Sequence, residues 1–507
     1  MKKQFIFTAA ILLSVGTVIA QPPIHWEKAF YGTSTSYSAA YIDVIQTSDG
    51  GFLAVGNGKG TGGDLPNGGY LDKGDVLITK MNASGATQWT KYWGGAQEDF
   101  VSSVLQTPDG GYILTGRTKS TIGGTNNGGY DGFVLKIDAT GTIEWNKLYG
   151  GSLDDQINAI CRNPDGSFVF VGKSKSPEID GAHGNEDLWV GKISETGTLL
   201  WSKAKGYSGY DEGTSIAIAS DGSYIVAGTT TSTSATNHHG GSDIWLLKIS
   251  TSGAISWQTC IGGSGSESFG KAIIANDGSI IVTGSSTSNN GDVSGQHGDA
   301  DVLLAKTDNM GNVLFAKLFG GSDGDIGMGI ALAEDGGYFI GARTKSSDGD
   351  ITNLIGSYDA WVIKTSSAGL MKWQKTYGGA GIDLINNFSI TNDGGLILAG
   401  QQTNKDGWIL KLKGNTTNIN DISNELKVSV YPNPTSQILN VLMDWSQAKK
   451  GNLQILDING RVLHNQSLEV SNNLDLQLDI SNLIPGSYYL KISTEKGQKS
   501  NMFQVLR

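Results

Sequence analysis

The turn sequence Asp-Gly followed by Gly or Ser recurs seven times, and this repeat limits the folds open to the chain. Successive copies are 60, 56, 56, 56, 58 and 58 residues apart. Each interval holds four short runs rich in branched and aromatic residues, separated by Gly, Pro, Asp and Asn. The pattern predicts an all-β chain in which an antiparallel four-stranded sheet is repeated. The turns begin at Asp49, Asp109, Asp165, Asp221, Asp277, Asp335 and Asp393.

The first strand of the repeat region looks displaced from the end of the region to its beginning. Strands that open with Asp occur seven times, but the Trp-x-Lys-type strand that should follow each one is missing after DGWILKLK. Its counterpart, Trp26-Glu27-Lys28, stands near the N-terminus. Sheets stacked radially bury both of their faces, and a borrowed strand closes the ring. We therefore predict a seven-bladed β-propeller over 21–414, with 24–31 paired to the sheet of 384–413.

Closure places the Trp-x-Lys strands outermost and the strands before each Asp-Gly turn around the axis. The Asp-Gly turns then lie on one face, together with the short turns that precede the outer strands. We call this the turn face. The long, variable loops and the crossings between blades lie on the other, which we call the loop face. Variable loops on a rigid frame commonly bind ligands, so we expect a ligand site on the loop face.

An acidic residue precedes most of the innermost strands and should surround the mouth of the axial channel. It could bind a cation or a cationic ligand, whereas its repetition favours a role in accepting backbone hydrogen bonds within the crossings. Ser36 is the expected counterpart in the first blade. The acidic residues are Asp99, Asp155, Asp211, Glu267, Asp325 and Asp383.

Three histidines, His183, His239 and His297, each lie four residues before the Asp that opens a third strand. Zinc needs its ligands about 2 Å from one ion, and equivalent positions on neighbouring blades are too far apart, so turn or ligand-contact roles are favoured. The segments 291–301 and 347–359 are rich in Asp but lack the spacing of a calcium loop, which leaves calcium as an open alternative and no other cofactor indicated. No catalytic motif is apparent.

The N-terminus predicts export. Lys2 and Lys3 precede an apolar stretch that ends at Ala20, which is typical of a cleaved signal peptide. No later segment is apolar enough to span a membrane. The net charge of −11, without a basic cluster, argues against binding to nucleic acid. Cys161 and Cys260 are expected to be separate thiols rather than a disulfide.

After a polar linker at 415–426, the remaining residues, 427–507, predict a small Ig-like β-sandwich of short alternating strands. Their motifs resemble the type A C-terminal sorting domain of the type IX secretion system of Bacteroidetes. The matching positions are Tyr431, Pro432, Asn433, Pro434, Gly460, Pro485, Gly486 and Tyr488. The propeller likewise resembles exported propeller repeat proteins that carry this domain, a likeness that brings no known chemistry.

The sorting resemblance implies passage through the periplasm, engagement of the type IX machinery, and removal of the domain. The protein is then released or attached to the surface through lipopolysaccharide. Together these patterns predict a secreted or surface-bound propeller that binds a glycan or protein ligand. Two alternatives stay open, a propeller-type carbohydrate-active enzyme and a passive surface or adhesive component.

Overall fold

A computed structural model describes residues 21–30, 39–59, 74–403, 405–414, 427–431, 435, 437–444, 450–457, 461–469, 474–494 and 497–505. The chain divides into two compact units, Met1–Asn415 and Thr416–Arg507. The predicted signal peptide at 1–20 and the predicted linker at 415–426 lie outside the described residues. The exact domain boundaries therefore stay predictions.

Every described element of the first unit is a β-strand, and the strands form seven four-stranded antiparallel sheets. The strand nearest the axis in each sheet, the inner strand, leads through an Asp-Gly turn to a second strand. The inner strands are β2 Ala39–Gln46, β6 Asp99–Gln106, β10 Asp155–Arg162, β14 Asp211–Ile218, β18 Glu267–Ile274, β22 Asp325–Leu332 and β26 Asp383–Ile390. The second strands are β3 Phe52–Gly58, β7 Tyr112–Thr118, β11 Phe168–Ser174, β15 Tyr224–Thr230, β19 Ile280–Ser286, β23 Tyr338–Thr344 and β27 Leu396–Gln402.

A third and an outer strand complete each sheet, which we call blades 1 to 7 in the order of their inner strands. The third strands are β4 Asp75–Met81, β8 Asp131–Ile137, β12 Asp187–Ile193, β16 Asp243–Ile249, β20 Asp301–Thr307, β24 Asp359–Thr365 and β28 Lys405–Leu412. The outer strands are β5 Thr87–Trp93, β9 Ile143–Tyr149, β13 Leu199–Lys205, β17 Ile255–Ile261, β21 Val313–Phe319, β25 Met371–Tyr377 and, for blade 7, β1 Ile24–Phe30.

The N-terminal strand closes the ring as predicted. β1 pairs antiparallel with β28, with Glu27 opposite Leu410 and Phe30 opposite Gly407. The ring of Trp26 lies against Gly85 of blade 1, as Trp89 of blade 1 lies against Gly141 of blade 2. Inner strands of successive blades contact one another, and β26 contacts β2. The propeller class is confirmed, and the closing strand gives blade 7 its fourth strand.

The hydrophobic core is divided among the junctions between blades. One cluster joins Val55 and Ile78 of blade 1 to Leu114 and Phe133 of blade 2. Another joins blade 7 to blade 1 and contains Phe30 of the closing strand. Because every blade buries apolar surface only against its neighbours, the ring is stabilised by the same kind of interface throughout.

The second unit contains two sheets that enclose one apolar core. The strand order is β29-β30-β33 in one sheet and β32-β31-β34-β35 in the other. Leu439, Leu478, Leu453 and Leu490 meet in the core between them. This arrangement is a β-sandwich, while its Ig-like classification stays a prediction. The strands are β29 Lys427–Tyr431, β30 Ile438–Asp444, β31 Lys450–Asp457, β32 Val462–Glu469, β33 Leu474–Asp479, β34 Gly486–Thr494 and β35 Gly497–Val505.

Candidate functional site

A cavity of about 350 Å³ lies in the axial channel of the propeller. Its walls come mainly from the first five residues of the inner strands and from the last residues of the second strands. Those strand segments lie at the loop face, so the cavity is the loop-face mouth of the channel. We call it the channel mouth. It is lined by Ile42, Asn57, Phe100, Val101, Ser102, Arg117, Gln156, Asn158, Glu212, Thr214, Phe269, Lys271, Met328, Asn386 and Asn387.

A hydrogen-bonded row of polar side chains crosses three blades along one wall of the channel mouth. Arg117 Nη1 donates to Gln156 Oε1 at 3.2 Å, and Gln156 Nε2 donates to Asn158 Oδ1 at 2.7 Å. Asn158 Nδ2 in turn donates to Glu212 Oε1 at 2.7 Å. The hydroxyl of Tyr210 donates to the other oxygen of Glu212. Each side chain is therefore oriented by the next, which presents a fixed pattern of donors and acceptors to the channel.

Aromatic rings hold the cationic end of this row. The guanidinium carbon of Arg117 lies 5.0 Å from the ring centroid of Phe100 and 4.4 Å from that of Tyr130. Lys119 Nζ lies 4.2 Å from the Tyr130 centroid. Cation–π contacts of this kind restrict the guanidinium without satisfying its donors. Arg117 is thus positioned by two rings at the channel mouth.

Blade 5 breaks the repeat at the channel mouth. In the other blades, the third residue of the inner strand is buried against the preceding blade, as Val101 and Ile157 are. In blade 5, Phe269 occupies this position but is 49% exposed. The next residue, Gly270, is buried instead, and a Cβ on it would lie 2.9 Å from Gly228 O of blade 4. Phe269 and Gly270 have therefore exchanged sides of the strand.

The exchange is made by a strained backbone. Phe269 has φ +61°, a left-handed conformation that costs a bulky residue roughly 1–3 kcal/mol. Pairing runs from Ser268 with Ser285 directly to Lys271 with Thr283, so Phe269 and Gly270 both lie outside the ladder. Sequence reasoning missed this feature, although a glycine at the fourth position, where other blades carry side chains, was an available signal.

The six predicted ring acids are not open to the channel. They are between 0% and 3% exposed, and their side chains accept hydrogen bonds from the crossings between blades. Asp211 shows the pattern: it accepts from Tyr207 N at 2.9 Å, from Ser232 Oγ at 2.9 Å and from the Thr230 hydroxyl. Burial raises the pKa of Asp99, Asp155, Asp211, Glu267 and Asp325. These contacts favour a role for the six acids in accepting hydrogen bonds within the crossings over a role in binding a cationic ligand.

The equivalent position in blade 1 was predicted wrongly. Ala39 pairs with Gly58 just as Asp99 pairs with Thr118, so Ala39 is the counterpart of the ring acids. Ser36 lies outside the described residues. Each ring acid lies ten residues before the Asp of its Asp-Gly turn, and the same spacing before Asp49 gives Ala39.

The three predicted histidines share one backbone contact rather than one site. The backbone N–H groups of His183, His239 and His297 donate to Asp187, Asp243 and Asp301 at 2.8, 2.6 and 2.7 Å. Each histidine thus lies in a turn closed by the Asp that opens the third strand. Within the described part of the chain, no three His, Cys, Asp or Glu side chains are grouped to hold a metal ion. Ligand contact by these histidines stays a prediction, as does calcium binding.

The sorting motif is placed in part. Tyr431 ends β29, Gly486 begins β34 after Pro485, and Tyr488 is buried against Phe503 with ring centroids 5.8 Å apart. Tyr488 Oη also donates to Ile484 O at 2.7 Å, which fixes the turn before β34. Pro432, Asn433, Pro434 and Gly460 lie outside the described residues. Cys161 and Cys260 are free thiols, as predicted.

Fold and sequence together define the class of protein as an exported β-propeller that carries a C-terminal sorting domain. Residues 429–505 match the family described as the secretion system C-terminal sorting domain. This match confirms the predicted resemblance. The domain indicates engagement of the type IX secretion machinery and delivery to the cell surface or exterior. No helix among the described residues is long and apolar enough to cross a membrane.

The chain is similar to several known proteins at low identity. Regulatory protein FlaEY of Caulobacter vibrioides is 23% identical over 333 residues, which are 63% of this chain and 31% of that protein. The extracellular domain of a protein named as a one component system of B. thetaiotaomicron has a TM-score of 0.41 at 11% identity, covering 94% of this chain and 57% of that one. A GH93 alpha-L-arabinofuranosidase of Fusarium graminearum has a TM-score of 0.41 at 10% identity, covering 76% and 97%. The chain thus spans about a third of the curated relative.

Proposed function

We propose that the exported propeller is a binding protein that takes a glycan or protein ligand at the channel mouth on its loop face. The observation that carries the proposal is the strained, half-exposed Phe269 beside the ordered row from Arg117 to Glu212. The strained backbone buries Gly270 against blade 4 and leaves the apolar ring of Phe269 half-exposed at the channel mouth. Strain of this kind concentrates at sites that contact ligands.

Binding is favoured over glycoside hydrolysis by the chemistry of the lining. Hydrolysis of a glycosidic bond commonly uses two carboxyl groups that face each other across the substrate. Glu212 is the one carboxylate among the described residues that line the channel mouth. Its oxygens are already engaged by Asn158 and Tyr210. The amides and aromatic rings around it suit recognition rather than proton transfer.

The binding site is tested by filling the channel mouth. Ser102 lies within hydrogen-bond range of Gln156, 3.5 Å from its Nε2, and Ser102→Trp should occupy the cavity. Ser252, exposed in a turn of the turn face, provides the matched control Ser252→Trp. The secreted protein is applied to a glycan array and used to capture cell-envelope proteins. We expect Ser102→Trp to lose the retained ligand and Ser252→Trp to keep it; equal retention by both variants contradicts the proposed site.

The fate of the protein after export is a separate part of the proposal. We propose that the sorting domain is removed and that the propeller is then either released or attached to surface lipopolysaccharide. Cells are fractionated into periplasm, outer membrane and medium, and the mass of the propeller is measured in each fraction. The result distinguishes release from attachment to lipopolysaccharide. Deletion of 427–507 should trap the propeller in the periplasm, and its normal appearance outside the cell would contradict this route.

A further inference from the structure

We infer that the ligand of the channel mouth is an acidic saccharide, whose carboxylate is bound by Lys271 and whose ring packs on Phe269. This inference rests on the proposed binding function and narrows it to one chemical class. Both residues belong to the segment of blade 5 that breaks the repeat. They stand two positions apart on β18, and both line the channel mouth. An apolar ring next to an ammonium group is the arrangement that a sugar acid requires.

Lys271 is a cation without a close counterion. Its Nζ donates to the backbone carbonyl of Thr214 at 3.1 Å. Burial lowers the pKa of Lys271, whereas the charges of Asp43 and then Glu212, neither of which hydrogen-bonds to it, favour its charged form. Asp43 itself is held by Val104 N at 2.9 Å and Asn387 Nδ2 at 2.8 Å. An ammonium group has three donors, so Lys271 keeps capacity for an anionic acceptor in the channel.

A second cation, Arg117, lines the same mouth. Arg117 donates from Nη1 to Gln156, but its Nε is buried without a hydrogen-bond partner. The acid of this row, Glu212, accepts a hydrogen bond from Tyr210, and Lys173 is shared between Glu212 at 3.6 Å and Glu186 at 3.0 Å. Among the described residues, the lining itself carries two cations, Arg117 and Lys271, against the one carboxylate of Glu212, and this balance favours an anionic ligand.

The surroundings make this preference selective. The whole chain carries a net charge of −11, so its general surface repels anions. The channel mouth is an exception, and its amides supply both donors and acceptors for hydroxyl groups. Asn158 and Asn386 lie on different blades and are each fixed by a bond to a neighbour. A polyhydroxylated ring with one carboxylate matches this set, whereas an inorganic anion would use only the cations.

The chemistry is tested by calorimetric titration of the protein as it is recovered after secretion. The probes are disaccharides and trisaccharides of galacturonic, glucuronic and mannuronic acid, their neutral methyl esters, and acetate. We expect at least one acidic saccharide to bind, its ester to bind at least 10-fold more weakly, and acetate to bind weakly or not at all. Equal binding of acid and ester overturns the acidic preference but keeps the proposed function. Binding of acetate as tight as that of the saccharides overturns the role of the ring. If no acidic saccharide binds, the inference is wrong.

Variants separate the two parts of the inference. Lys271→Met should bring the affinities for acid and ester within about 2-fold of each other, while Lys147→Met on an outer strand should change neither. Phe269→Gly should lower binding of acid and ester alike by at least 10-fold. It should also raise the melting temperature, because glycine adopts φ +61° without strain. A Phe269→Gly protein that binds normally, or one that is less stable, contradicts the role given to this residue.

Discussion

The loop face and the turn face of the propeller each repeat an aspartate in every blade or nearly every blade, and the two sets behave as opposites. On the turn face, the Asp of each Asp-Gly turn is 39–62% exposed and lies 2.6–3.4 Å from a lysine of its own blade. On the loop face of blades 1 to 6, the Asp that opens the third strand is buried and lies beside the same glycine as the carboxylate that begins the next blade.

Several of the buried loop-face aspartates have a carboxylate oxygen without a hydrogen-bond partner. Asp131, Asp187, Asp243 and Asp301 each use one oxygen to accept backbone hydrogen bonds, while the other oxygen is buried without a partner. Burial, followed by the charge of Asp155, raises the pKa of Asp131 to about 6. On the turn face, the hydroxyl of Thr107 and then the ammonium of Lys136 hold the pKa of Asp109 at about 2. Environment, not residue type, decides which way an aspartate in a repeat titrates.

The largest difference between the faces should appear on adding one methyl group to a glycine. A Cβ on Gly206 would lie 2.2 Å from Asp187 Oδ1 and 2.7 Å from Asp211 Oδ2, so Gly206→Ala must push apart a packed junction. We expect it to lower the free energy of unfolding by about 3 kcal/mol. On the turn face, Gly222→Ala meets no atom within 4 Å and pays only for φ +80°, about 1 kcal/mol. Chemical denaturation of both variants checks this, and equal losses would contradict the contrast.

A second difference should follow from removing one carboxylate on each face. Asp211→Ala leaves the backbone N–H of Tyr207 and the hydroxyl of Ser232 without their acceptor in a buried crossing. We expect a loss of about 2–3 kcal/mol in the free energy of unfolding. Asp221→Ala removes an exposed ion pair with Lys248, 2.7 Å apart, and should cost about 1 kcal/mol or less. If Asp221→Ala were the more damaging change, the exposed pairs would be the stronger support of the ring.

The sequence could predict the ring because the repeat supplies its own alignment. The missing Trp-x-Lys strand and its copy at Trp26 specify the closing partner, and β1 pairs with β28 as expected. The fate of the ring acids was harder to predict. An aspartate at the start of a strand is the same residue in the sequence whether its side chain faces the axis or accepts hydrogen bonds from the crossing between blades. Only the packed junction shows that Asp211 is enclosed.

The exchange of Phe269 and Gly270 lay beyond the repeat pattern for a different reason. In a regular strand, alternate residues face opposite sides, so the sequence position predicts the side. One residue in a left-handed conformation breaks this alternation locally. The position of Phe269 in the repeat therefore predicts a buried residue, but its side chain lies at the channel mouth. The network from Arg117 to Glu212 was missed as well, because its members come from different blades and share no local motif.

The raised pKa of Asp131 should make its contribution to the stability of the protein larger in mildly acidic solution. The pKa of Asp131 in the folded protein, about 6, is above its ordinary value of 3.8, so the folded state binds the extra proton. Its contribution to stability is complete below pH 3.8 and is lost as the pH rises through 6. Asp131→Asn imitates the protonated form, and its amide can donate toward Asp155. We expect a gain of about 1–3 kcal/mol at pH 8 and almost none at pH 4, measured by denaturation across this range. If the free energy of unfolding changed with pH in the same way for the variant and the natural protein, the raised pKa of Asp131 would be contradicted.

The smallest effect should come from the same substitution on the turn face, and it should have the opposite sign. The pKa of Asp109 is lowered to about 2, so its contribution is present above pH 3.8 and is lost as the pH falls through 2. Lys136 Nζ also contacts Glu144 at 2.8 Å, so Asp109→Asn leaves the lysine with one carboxylate. Because the carboxylate of Asp109 is exposed and solvent screens its attraction to the buried Lys136, we expect a loss of about 0.5 kcal/mol at pH 7. Raising the salt concentration to about 1 M should remove most of this loss, while the gain from Asp131→Asn should persist because buried charges are screened less. If salt abolished both effects, the loop-face carboxylates would be open to solvent and the contrast between the two faces would fail.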